Sequence, residues 1–418
     1  MPGRNVSPNL ALNQLVDERN AAGASLVHLG FGEARLPVFA PLAERLAAGA
    51  RRNAYGPVAG GKDVREKVAG YFTRRRLPTG ADQVVVAPGS KPLLMALHMT
   101  VPGDVLLPRP CWNTYAPQAR YLGKQAIGVP IPDECGGVPD PDALREAIRA
   151  ARVLGHDPRI VVVTLPDNPT GTLAPPVLVR EICAIAEEED LLIVSDEIYR
   201  DVVHDPATEV LSPAEVAPRR TVVTTGLSKS LALGGWRIGA ARFPEGAWGR
   251  RIRDGVVSAA SEVWSTLAGP MQEVAAYAFA EPPEIRERLA ACARLHGAVA
   301  REAHRIVVAA RAVCRPPTGA FYIYPDFEPL RGRLARLGVT DSVSLHKHLL
   351  DAHGVVVLAG HHLGDDEQAL RFKAATSMLY GETIEQQEES LAATNPLVLP
   401  HISGVLTRLE EAFTRLAL

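Results

Sequence analysis

The chain has 418 residues, 47% of them hydrophobic and 22% charged, with a formal net charge of −2. That length suits about two or three domains with a sizeable core, and the near-neutral balance gives no reason to expect a nucleic acid or an anionic membrane as partner. No run reaches the ~18 uninterrupted apolar residues of a membrane span. The first twenty residues lack a secretory apolar core, and five scattered cysteines without a CxxC pair fit a reducing cytoplasm rather than a disulfide framework or zinc site.

In chain order, QVVVAPGS (83–90) reads as a strand entering a turn and KPLLMALHMTV (91–101) as the helix after it. DVLLPRP (104–110) is a second strand, with a helical pattern from Trp112. RIVVVTLPDNPTG (159–171), LLIVSDEIYRD (191–201) and RTVVTTGLSKS (220–230) are three more β-branched runs, the first two separated by the helix PPVLVREICAIAEEED. Continuous rather than alternating apolar strands spaced by helices predict a mostly parallel sheet buried on both faces, an α/β fold. A ligand would then sit beyond the carboxyl ends of the strands, where Ser90, Trp112, Asn168, Asp196 and Lys229 gather. The expected division is an N-terminal arm with part of a small domain (1–48), a large α/β domain (49–290) and a small α+β domain (291–418). In the last, PPTGAFYIYPDF and ALRFKAATSM read as strands and ISGVLTRLEEAFTRLAL as a closing helix. The polar segment 382–400 reads as a loop or short helix.

Some local patterns mislead. GFG (30–32) lacks the third glycine and the helix of a dinucleotide fingerprint, and GSK (89–91) lacks the upstream glycine of a P-loop. HHL (361–363) has no companion ligands at metal spacing.

Only seven lysines occur, and Lys229 lies among Ser, Gly and apolar residues eight positions before Arg237. A Schiff-base lysine needs a site that disfavours its ammonium form, and an apolar, Gly-rich setting is consistent with one. Four motifs stand in order: DNPTGT (167–172), SDEIYRD (195–201), LSKS (227–230) and GGWRIG (234–239). Taken singly, Asp196 reads as a helix N-cap, Trp112 as a core aromatic and Asn168 as a turn residue. Together their order and spacing closely resemble the class I/II aminotransferases, fold-type I enzymes of pyridoxal 5′-phosphate (PLP), and the resemblance runs from about Leu29 to the C-terminus.

The resemblance implies a role for each matching residue. Lys229 would hold PLP as a Schiff base and move the Cα proton, and Asp196 would keep the pyridinium nitrogen protonated. Asn168 and Tyr199 would bond the phenolic oxygen, and Trp112 would stack on the ring. The phosphate would fall to Arg237, Ser90 and the backbone at Ser90 and Lys91, with Tyr55 reaching it from the neighbouring subunit of a homodimer. Arg371 would grip the α-carboxylate of the substrate near the Gly32 backbone. Its plainer alternative is a strand arginine in a salt bridge. The implied reaction moves an amino group from an α-amino acid to a 2-oxo acid in the cytoplasm. Elimination, replacement, carbon–carbon bond formation, cyclisation or oxidation on the same cofactor is the alternative, and a non-catalytic PLP-binding sensor a remote one.

The sequence departs from the family pattern in several places. Gly226 stands where many relatives carry a phosphate-binding serine. Arg35 in GEARLP replaces an acid near the entrance, SAASEV (258–263) lacks an arginine for a side-chain carboxylate, and the longer segment 382–400 is a candidate cover for that entrance.

Overall fold

The computed structural model describes residues 8–418. Its centre is a seven-stranded sheet built from β1 (Val84–Ala87), β2 (Asp104–Arg109), β3 (Ala126–Pro130), β4 (Pro158–Thr164), β5 (Leu192–Asp196), β6 (Thr221–Gly226) and β7 (Gly239–Arg242). The spatial order is β1-β7-β6-β5-β4-β2-β3. Six strands run the same way, and β7 alone lies antiparallel between β1 and β6.

The β-branched runs are fully apolar because alternate side chains enter two different cores. Ile160 and Val162 of β4 pack with the helices Ser90–Thr100 and Gly246–Val263, while Val161 and Val163 pack with Pro141–Val153 and Pro176–Glu188. Each such valine or isoleucine contributes about 1.5–3 kcal/mol by leaving water, so both faces hold the strand in register. Two strands of this sheet escaped the sequence reading. β7 reads Gly-Ala-Ala-Arg and carries no β propensity, and β3 lies at the sheet edge with little burial.

The C-terminal part follows a 27-residue helix, Pro283–Ala309. It contains a small antiparallel sheet of Leu358–Ala359, Phe372–Ala375 and Tyr322–Ile323 and closes with the helix Pro400–Ala417. The chain start joins it, since Val27–His28 pairs in parallel with Val355–Val356 and Leu29 and Leu36 enter its core. Helix Ala40–Gly49 goes the other way, with Leu42 in the core that packs on β1 and β6. The large-sheet packing therefore begins inside the span expected to be an N-terminal arm.

Segment 382–400 forms the helix Ile384–Ala392, capped by Thr383, then a short 3-10 turn at Pro396–Val398. Leu391, Leu397 and Leu399 pack into the C-terminal core beside the long helix. None of the segment's residues lines the cavity described next, so it does not cover the entrance. Its length is used for packing.

Candidate active site

Because six strands share one direction, their carboxyl ends open onto one rim, and a cavity of about 420 Å³ lies there. Ser90 and Lys91 reach it from the turn after β1, Trp112 from the turn after β2 and Asn168 from the turn after β4. Asp196 ends β5, and Lys229 and Arg237 flank the connection from β6 to β7. Tyr199 and Gly32 complete the set that the sequence assigned here.

Lys229 stands on the single helical turn Leu227–Ser230. Its Nζ donates to the carbonyl of Gly32, and burial, aided by the charges of Arg237 and Lys91, lowers its pKa to about 8 against the pull of Glu33 and Asp196. A usable fraction of the amine is therefore neutral near pH 7. Asp196 accepts from the Tyr115 hydroxyl at 2.8 Å and from Thr224 at 3.3 Å, and burial raises its carboxyl to about 6. Tyr115 also meets Thr164 at 3.0 Å, which fixes the ring beneath Trp112 in an edge-on contact of 5.3 Å. Tyr199 shares its hydroxyl hydrogen bond with Tyr322 at 2.6 Å.

The opposite end of the cavity is an anion cradle. The 11-residue helix Ser90–Thr100 starts at Gly89, whose φ of +92° suits glycine, and a Cβ there would lie 2.3 Å from Nη2 of Arg237. Arg237 donates to the carbonyl of Gly234 at 2.9 Å and lies 3.5 Å from the hydroxyl of Ser228. Lys91 is placed 5.2 Å from the Trp112 ring, and its pKa is lowered by burial and then by Arg237. Two cations held together at a helix N-terminus favour a bound anion.

A serine at position 226 has no room here. A Cβ on Gly226 would lie 2.7 Å from the carbonyl oxygen of Ile238 and 3.1 Å from Ile198, and a hydroxyl beside Arg237 is supplied by Ser228 instead.

Two expected placements differ. Arg371 does not line the cavity: its Nε donates to Asp326 at 2.7 Å and its Nη1 lies 3.3 Å from Asp365, the salt-bridge alternative. Asp365 is pinned in turn by the Tyr324 hydroxyl at 2.7 Å. Arg35 is exposed, and its charge acts on His28 rather than in the cavity. Tyr55 is 91% exposed and lies outside the cavity of its own chain.

The cavity also contains groups that no motif marked. Tyr322 and Thr164 line it, and so does Lys373, two residues beyond Arg371 and only 1% exposed. Thr164 was detectable only through the strand end on which it sits, and Tyr115 opens the helix Tyr115–Tyr121 with no signal of its own. Lys373 had no signal beyond being one of few lysines.

The turn carrying Asn168 is locked to the C-terminal part. Gly171 has a φ of +71°, and a Cβ there would fall 2.0 Å from the carbonyl oxygen of Tyr322. Its own carbonyl accepts from the backbone N–H groups of Thr318 at 2.8 Å and Gly319 at 3.0 Å.

The donor set fits a phosphate-bearing aldehyde cofactor. A softened lysine faces a buried carboxylate that, among the described residues, pairs with no cation, and Oδ1 of Asn168 is buried there without a partner. A protonated ring nitrogen would satisfy Asp196, a ring oxygen would accept from the Asn168 amide NH2 group, and a phosphate would fill the Arg237–Lys91 cradle.

Comparison with known proteins agrees. The family described as aminotransferase class I and II matches residues 26–380. The aspartate/prephenate aminotransferase of Thermus thermophilus is 31% identical over 369 residues, covering 85% of this chain and 88% of the relative. An aspartate aminotransferase of Bacillus subtilis is 28% identical over 91% of this chain and 95% of its own. Among solved structures, the Thermus thermophilus aspartate aminotransferase with maleate superposes with a TM-score of 0.81 at 25% identity, covering 98% of this chain and 97% of that one. The chain belongs to the class I and II aminotransferases. It has their fold-type I architecture, and it is a PLP-dependent transferase of amino groups.

Proposed function

We propose that the cavity transfers the amino group of an α-amino acid to a 2-oxo acid, with Lys229 as the group that moves protons. The observation that carries this reading is the softened amine of Lys229 facing the Asp196 carboxylate across the rim of the sheet. When bound, PLP supplies an electron sink for the carbanion at the substrate Cα and carries the amino group between the two substrates.

The protein's own groups have separable tasks. The neutral amine of Lys229 is the nucleophile for the aldehyde and, once displaced by a substrate amine, takes the proton from Cα and returns it. Asp196, held by Tyr115 and Thr224, keeps its charge toward the ring nitrogen. Asn168 and Tyr199 donate toward the ring oxygen. Trp112 covers one ring face. Arg237, Ser90, the backbone of Ser90 and Lys91, and Ser228 in place of a residue-226 hydroxyl hold the phosphate.

The exposed Tyr55 supports a homodimer in which it completes the partner's phosphate site. The same reading keeps 49–290 as the large domain, with helix Ala40–Gly49 added to it, and 291–418 with the chain start as the small one. No helix among the described residues is long and apolar enough to cross a membrane, and the reading places the enzyme in the cytoplasm. Relatives are named for aspartate and prephenate, which makes aspartate and glutamate the first donors to test, although 258–263 offers no arginine for a second carboxylate.

The test is an absorbance titration of the purified protein with PLP. A bound chromophore should shift toward shorter wavelength with an amino donor and return with a 2-oxo acid, as required for alternating half-reactions. Turnover without any 2-oxo acid would favour the elimination or replacement chemistries. No chromophore would sink the reading.

A further inference from the structure

Tyr322, which no motif marked, touches both elements that supply donors to the ring oxygen on the proposed reading. It lies on the short strand Tyr322–Ile323 of the C-terminal part, lines the cavity and is fully buried. Its hydroxyl lies 2.6 Å from that of Tyr199, with the two rings edge-on at 5.6 Å and 80°. A Cβ on Gly32 would lie 2.4 Å from the same hydroxyl, so the tip of the phenol fits because residue 32 has no side chain. The Gly32 carbonyl in turn accepts from Nζ of Lys229. At the other end of the residue, the Tyr322 carbonyl packs on Gly171 of the Asn168 turn. Both ends of Tyr322 are thus set against glycines, and its pairing with Ala375 holds the backbone between them.

A hydrogen bond between two hydroxyls can run either way, and here the direction matters. A phenol hydroxyl carries one proton and gives it to one acceptor. If Tyr199 gave its proton to Tyr322, it would turn only lone pairs toward the cavity, and an anionic ring oxygen there would be repelled. If Tyr322 gives its proton to Tyr199, the proton of Tyr199 is free for the cavity. A hydroxyl that accepts one hydrogen bond is also the stronger donor of the next. With a ring oxygen in place, the second arrangement gives every buried proton an acceptor, and the first does not.

We propose that Tyr322 is a positioning residue, whose hydroxyl donates to Tyr199 and so directs the single proton of Tyr199 at the ring oxygen of the cofactor. The inference rests on the aminotransferase reading of the cavity and adds to it a residue from the C-terminal part. Because the same residue makes the contact with Gly171, both donors to the ring oxygen, Asn168 and Tyr199, are aligned from one strand.

The test reads the bound cofactor by its colour. A donor to the ring oxygen stabilises that oxygen as an anion, so the chromophore loses its proton at lower pH, and loss of the donor raises the midpoint. Absorbance of the full-length enzyme carrying PLP is followed against pH for the wild type, Tyr322→Phe, Tyr199→Phe and the double variant. Phenylalanine keeps each ring and removes only the hydroxyl. Tyr199→Phe should raise the midpoint by about one pH unit or more, as expected for a lost hydrogen bond to a charged group. Tyr322→Phe should raise it by about 0.3–0.5 units, a two- to threefold change, because Tyr199 keeps its proton but loses the bond that strengthens and orients it. The double variant should titrate like Tyr199→Phe alone, since Tyr322 acts through Tyr199.

An unchanged midpoint in Tyr322→Phe, or a shift that adds in full to that of Tyr199→Phe, overturns the proposal. So does a lowered midpoint, which would mean that the hydrogen bond runs from Tyr199 to Tyr322. Loss of PLP binding confined to Tyr322→Phe also overturns it, by making the residue a structural support. If the wild type gives no chromophore, the aminotransferase reading has failed and takes the proposal with it. A normal chromophore with an unmoved midpoint removes the proposal alone.

Discussion

Replacing Lys373 by methionine should make the cofactor-free protein more stable, and by an amount that depends on pH. The side chain is 1% exposed, and its pKa falls from an ordinary 10.5 to about 7, first through burial and then through the charge of Lys229. The difference of 10.5 − 7, at about 1.36 kcal/mol per pH unit, means that charging Lys373 costs the fold about 5 kcal/mol. Below pH 7 both the folded and the unfolded chain hold the proton and the whole cost is present. Between 7 and 10.5 the unfolded chain holds it and the folded chain does not, so the cost shrinks as pH rises and is gone above 10.5. Methionine is similar in length, fills the same space and never charges. The variant should therefore exceed the wild type by about 5 kcal/mol near pH 6 and by about 2 kcal/mol near pH 9. Urea denaturation of both chains at the two pH values reads this difference directly. Equal differences at both pH values, or a variant less stable than the wild type near pH 6, would refute the argument that burial of this amine costs the fold its charge.

Other consequences are as concrete. Gly226→Ser, which would restore the commoner family residue, should instead destabilise the fold by about 1–3 kcal/mol through the contact with the Ile238 carbonyl, measured by the same denaturation. Arg237→Ala should weaken PLP affinity about 10- to 100-fold in an equilibrium absorbance titration, because the cradle loses its forked donor. Asp196→Asn should leave PLP bound but cut turnover steeply, since an amide cannot hold the ring nitrogen protonated. A variant with near-normal turnover would remove Asp196 from the mechanism.

How much of this was legible in the sequence depended on whether a residue's role is local. The strands of the sheet could be read because burial on both faces writes itself as unbroken β-branched runs. β7 could not, since Gly-Ala-Ala-Arg becomes a strand only when β1 and β6 close on it from either side. Lys229, Asp196 and Asn168 were readable because each follows or ends such a run, within a motif whose order is itself a signal. Arg371 sits in an equally recognisable motif, but Asp326, 45 residues away, and Asp365, six residues away, compete for its guanidinium, and only the folded loop brings them to it. The burial of Lys373 is likewise a property of the assembled cavity. Its neighbours in sequence, Phe372 and Ala374, are those of any strand. Tyr115, which bonds Asp196 at 2.8 Å, reads locally as an ordinary helix residue.

The tie at Gly171 has a mechanical meaning. The Asn168 turn belongs to the sheet, whereas Thr318, Gly319 and Tyr322 lead into the strand pair that carries Lys373. With no side chain between Gly171 and Tyr322, and with two hydrogen bonds across the join, the two parts of the molecule are held together at this point. It acts as a clamp. Any widening of the cavity must therefore be taken up on the opposite rim, where Phe31, Gly32 and Glu33 face the Lys229 turn. The wall bearing Asn168, Tyr322 and Lys373 would move as one piece, so the geometry between them would stay fixed while substrates come and go.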